Sequence, residues 1–164
     1  MRRWMPILLV GVLLQACGPH HLNCTLMGGQ DSLTITTDPA IQHRLTTVFV
    51  KLKQGRMIGR VSFPAQVPAS HPDSGVDGVA VHRNGRYVVS LGAGSPGTRT
   101  ALPGSWSAAE PVMLTIEGIR TGQIAYQHRE TFRFAHVYPN GRACGPDVLV
   151  HTTSFGTGDA VARS

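Results

Sequence analysis

Apolar and polar residues alternate with a period of two through most of this chain. Ser32–Thr36 sets Leu33 and Ile35 on one face, and Thr47–Lys53 does the same for Val48, Val50 and Leu52. Met57–Phe63 aligns Met57, Val61 and Phe63, and Val112–Glu117 aligns Val112, Leu114 and Ile116. Further runs are Gln123–His128, with Ile124 and Tyr126 together, Thr131–Tyr138, with Phe132, Phe134 and Tyr138 together, and Asp147–Phe155. Alternation of this kind marks strands with one buried face, and no segment sustains the 3.6-residue period of an amphipathic helix. Val79–Leu91 holds Asn84-Gly85 between two apolar stretches. Asn-Gly tolerates the positive φ angles of a type I′ turn, so this run predicts a hairpin. Eight or nine short strands at this spacing predict an all-β fold, a single antiparallel β-sandwich with one inner face per strand.

The remaining segments predict connections. Ser62–Gly78 carries Pro64, Pro68 and Pro72, and Gly92–Pro111 is the longest irregular stretch, with one helical turn expected at Ser107–Glu110. Gly156–Ser164 is expected to fray. No internal repeat is present.

The N-terminus breaks the pattern. Arg2 and Arg3 precede an apolar run from Trp4 to Leu14, and small Ala16 precedes Cys17. A positive start, a short apolar core and a small residue at the cut form a secretory signal. The run is shorter than the ~20 residues that span a bilayer. Leu14-Gln15-Ala16-Cys17 resembles the lipobox of bacterial lipoproteins. The resemblance implies a diacylglyceryl group on the Cys17 sulfur, cleavage before Cys17 and acylation of the new amine. Two or more acyl chains anchor stably, whereas one binds marginally. The expected organisation is a signal peptide over 1–16 with a signal helix, a lipidated tether over 17–30, the sandwich over 31–156 and a flexible tail over 157–164.

Three cysteines are present, Cys17, Cys24 and Cys144, and an odd count in an exported chain needs explaining. Lipidation of Cys17 leaves a pair. An oxidising compartment allows a Cys24–Cys144 disulfide, worth roughly 4–5 kcal/mol on the chain-entropy account, with two buried thiols as the alternative. Tyr138–Pro146, "YPNGRACGP", resembles small exported actinobacterial proteins with immunoglobulin-like or transthyretin-like sandwiches. That resemblance implies a fold and an extracytoplasmic setting, and carries no catalytic residue with it. Such proteins often have a second cysteine soon after the first. Here Val148 follows Asp147, which favours Cys24 as the partner of Cys144.

Removing sixteen of the 164 residues leaves 148, one domain's worth, and lowers the net charge from +6 to +4. The cations are mostly arginine and scattered, so no nucleic-acid footprint emerges. A weak attraction to anionic lipid or cell-wall polymers is compatible with the charge.

Few motifs point to chemistry. Gly92, Gly94 and Gly97 fit GxGxxG, with Glu117 beyond them, yet Pro96, Pro103 and Gly104 oppose the helix a dinucleotide site needs. Ser95, His136 and Asp147 supply the residue types of a hydrolase triad, but position 93 is alanine where a nucleophile elbow needs glycine. There are eight histidines, and His82, His128, His136 and His151 fall on predicted strands, as candidate ligands for Zn or Cu without HxH or HxxxH spacing. No cofactor and no catalysis are expected. Trp106, in the long loop, is the expected exposed anchor for a protein partner. The chain therefore reads as a membrane-anchored extracytoplasmic lipoprotein, a non-catalytic interaction module of the cell envelope. Small-ligand or metal binding is the alternative.

Overall fold

Strand β2 (Thr47–Gln54) alternates buried Val48, Val50 and Leu52 with outward Thr47, Phe49, Lys51 and Lys53, and the architecture is built around strands of this kind. The computed structural model describes residues 30–66, 73–76, 78–82, 84–92, 100–139 and 148–161. The segment read as a signal, the lipobox-like run and all three cysteines lie outside the described residues, as do Ser95 and Asp147. Ten strands are described: β1 (Ser32–Thr37), β2, β3 (Met57–Pro64), β4 (Asp73–Val76), β5 (Val79–His82), β6 (Arg86–Ser90), β7 (Val112–Arg120), β8 (Gln123–Phe132), β9 (Ala135–Val137) and β10 (Val148–Phe155). They form a six-stranded sheet, β4-β5-β6-β1-β10-β9, and a four-stranded sheet, β3-β2-β7-β8. The two sheets pack into the expected all-β sandwich. All pairings are antiparallel except that of β1 with β10, which is parallel.

One core lies between the layers. Leu33, Ile35, Tyr87 and Phe155 from the larger sheet meet Val48, Leu52, Phe63 and Leu114 from the smaller one, all nearly fully buried. Each such side chain contributes about 1.5–3 kcal/mol by leaving water. Gly118 on β7 lets the sheets close. A Cβ there would stand 2.7 Å from the Phe155 ring and 3.0 Å from Leu45.

The structure revises several details. The hairpin at Asn84-Gly85 forms between β5 and β6, but of that pair Gly85 alone is left-handed, at φ 79°, and its N–H donates to His82 O at 3.2 Å. The connection from His82 to Arg86 is thus a three-residue loop closed by a left-handed glycine, in place of a two-residue type I′ turn. The type I′ turn occurs instead between β7 and β8, where Thr121 and Gly122 both have positive φ. A register shift at Gly118/Ile119 follows, pairing Ile119 with Ile124 but Gly118 with Tyr126. Ile124 therefore turns outward while Tyr126 packs edge-on against Phe155. The run from Thr131 to Tyr138 is not one strand: β8 ends at Phe132, and β9 begins at Ala135 in the other sheet. Strand β4 lies inside the segment read as loop. Ser107–Glu110 makes bends and no helical turn. The only α-helix among the described residues is α1 (Pro39–Gln42), capped by Asp38, whose carboxylate accepts from Ala40 N–H. Thr157–Asp159 forms a 3-10 turn, and Val161 N–H donates to Ala125 O at 3.0 Å.

Candidate functional site

The open side of the sandwich, where β8 and β10 face each other, gathers the polar chemistry. Inward positions of β8 pair with inward β7 residues: Glu130 with Leu114, and His128 with Ile116. Inward positions of β10 include His151 and Thr153, in register with Leu33 and Ile35 of β1. Period-two geometry thus aims His128, Glu130, His151 and Thr153 into the same gap. Asp159, from the 3-10 turn, closes it.

These side chains form a chain of contacts. His128 Nδ1 lies 2.8 Å from Asp159 Oδ1. A carboxylate only accepts, so Nδ1 carries the proton and donates. His128 Nε2 is buried, has no hydrogen-bond partner and faces Glu130 Oε2 at 3.7 Å. Glu130 Oε1 accepts from His151 Nε2 at 2.9 Å. The His151 ring stacks on Phe132, with centroids 3.5 Å apart and planes 8° from parallel. Partial burial works to raise the Glu130 pKa. Hydrogen bonds from His151 and Thr153, with the charge of both imidazoles, outweigh burial and hold it below its ordinary value. The group spans β8, β10 and the 3-10 turn, so it ties the edge of one sheet to the other through protonatable contacts.

Of the four candidate histidines, the structure brings together two, His128 and His151. His82 sits on β5 in the far part of the larger sheet, and His136 lies on β9. Among the described residues, no three His, Cys, Asp or Glu side chains are arranged to hold a metal ion. Glu130 and Asp159 were not singled out from the sequence. The spacing His128-x-Glu130 was the available signal, because residues two apart share a strand face.

Trp106 is not an exposed anchor. It is 7% exposed, its Nε1–H donates to Leu102 O at 3.0 Å, and its ring meets Phe134 edge-on. Gln54 holds the surrounding loop: its Nε2 donates to Ser107 O and Glu110 O, and its Oε1 accepts from Ser107 N–H. Trp106 instead forms one wall of an open recess of about 360 Å³, with Asp31, Ser107, Ala108, Ala109, His136 and Leu149. Asp31 is committed there, since its Oδ1 accepts from Leu149 N–H at 2.8 Å.

Compared with known proteins, the chain matches no family model, no curated protein and no solved structure.

Proposed function

We propose that this chain is a lipid-anchored extracytoplasmic lipoprotein whose sandwich is a non-catalytic interaction module of the cell envelope. The observation that carries the reading is the run Leu14-Gln15-Ala16-Cys17 behind Arg2-Arg3 and the apolar segment. The membrane is the first partner, through the acyl chains on Cys17. Fourteen residues separate Cys17 from β1, a reach of at most about 50 Å when extended. With Trp106 buried, the protein-binding role passes to a strand edge. Among the described strands β9 pairs only with β10, and its Val137 is 42% exposed. Such an edge suits the addition of an extended segment from an envelope protein, with backbone bonds supplying affinity.

The test is crosslinking in the protein's own cells, with membrane fractionation and pull-down. Cys17→Ser is expected to release the chain from membranes; retention would show that no lipid on Cys17 anchors it. A reproducible partner that disappears with Val137→Asp supports the edge. A second reading, small-ligand binding, is favoured by the recess beside Trp106. A thermal shift with Zn, Cu or a small molecule, abolished by His136→Ala, would move the assignment there.

A further inference from the structure

The register of the four-stranded sheet places like charges side by side on its outer face. In β2 the inward Val50 and Leu52 leave Lys51 and Lys53 pointing out. Directly opposite residues share a face. Lys51 therefore shares a row with Arg60 on β3, Thr115 on β7 and, across Thr115, Arg129 on β8. Lys53 shares the next row with Ile58, Met113 and Thr131. Strands ~4.8 Å apart and rows roughly 7 Å apart put four cations in a patch about 15 Å by 7 Å. Among the described residues, their charged groups form no ion pair or hydrogen bond. Glu117, in the adjacent row, accepts instead from Gln127 Nε2 at 2.8 Å. Like charges directly opposite each other, as Lys51 and Arg60 are, destabilise a sheet. An anion from outside would remove that cost.

We propose that this face docks on an anionic lipid bilayer. It deepens the lipid-anchored reading, which supplies only the setting in which the face meets a membrane. The charges call for phosphate. The two apolar neighbours favour a bilayer over a soluble polymer: Ile58 is 48% exposed and Met113 51%, and they flank Lys53 in the same row. Apolar side chains beside cations seat in the headgroup boundary, while the cations meet anionic headgroups.

The experiment is vesicle co-sedimentation of the full chain, with phosphatidylcholine alone against a phosphatidylcholine–phosphatidylglycerol mixture. The apolar leader is common to every variant, so the excess affinity for the anionic vesicles is the quantity read. The triple variant Lys51→Gln, Arg60→Gln, Arg129→Gln is expected to lose about a hundredfold of that excess, roughly fivefold per cation. A control removing equal charge elsewhere, Arg44→Gln, Arg86→Gln, Arg120→Gln, is expected to keep most of it. These residues are surface positions, and circular dichroism checks that each variant folds. No preference for anionic vesicles, or equal losses in both variants, would overturn the proposal. So would soluble polyphosphate binding as tightly as the vesicles at matched phosphate. None of these results depends on Cys17, so failure here is distinct from failure of the lipid anchor.

Discussion

Among the described residues Tyr87 is the bulkiest fully buried side chain, and its hydroxyl shows how a polar atom is tolerated there. The phenol donates to Ala65 O at 2.9 Å while the ring packs at a tilt against Phe63, 5.2 Å away. Burial raises its pKa above the ordinary phenol value, so the proton stays in place to donate. Tyr87→Phe keeps the packing and removes the donor. The expected cost is about 1 kcal/mol, read as a lower urea midpoint at unchanged slope. Stability equal to the parent would mean that the bond contributes nothing net. Trp106 makes a related point. Proline, glycine and serine surround it, which suggested a solvent-facing loop. The loop folds back instead, and Leu102 and Trp106 both reach β3, within 3.0 Å of where a Cβ on Gly59 would sit.

Turn geometry operates at the scale of elements. The sheet accepts two-residue hairpins whose twist matches its own, and type I′ turns need positive φ at both central residues. Thr121 meets that demand at φ 51°, although a β-branched residue is poorly suited to it. The long pairing of β7 with β8 imposes the strain. Thr121→Asn is expected to raise stability by about 1 kcal/mol, measured by thermal or urea unfolding. An unchanged or lower stability would show that the turn carries no such strain. The Asn84-Gly85 pair is well suited to a type I′ turn but sits in a longer loop. There Thr37 N–H donates to Gly85 O at 2.7 Å, and the neighbouring strand helps set the turn.

Across the whole molecule, the histidine–carboxylate chain joins the two sheets at their open side. Its pH dependence follows from Glu130. The folded-state pKa lies below the unfolded value, so the unfolded chain binds more protons as pH falls. The stabilising contribution is complete above about pH 4.3, the unfolded glutamate value, and is lost as pH falls through the lower folded value. Glu130→Gln is expected to flatten the acid limb of a stability–pH curve measured by urea unfolding. An unaltered limb would show that the contacts with His151 and His128 contribute nothing there.

Fold class was legible because a strand with one buried face writes its period into the chain. Leu33, Ile35, Val48, Val50, Leu52, Val112, Leu114 and Ile116 are all buried, as their alternation requires. The proposed leader and lipobox rest on equally local patterns, a few adjacent residues each. Position in space is another matter. Which strands pair depends on contacts far apart in sequence, such as the parallel match of β1 with β10. A single register shift at Gly118/Ile119 moved Ile124 to the surface, which no alternation pattern foretells. The meeting of His128 with Asp159, and of Glu130 with His151, has the same origin: separations of 31 and 21 residues are closed only when two sheets and a 3-10 turn pack together. Periodicity tells each strand which face to bury, and only tertiary packing decides what that face meets.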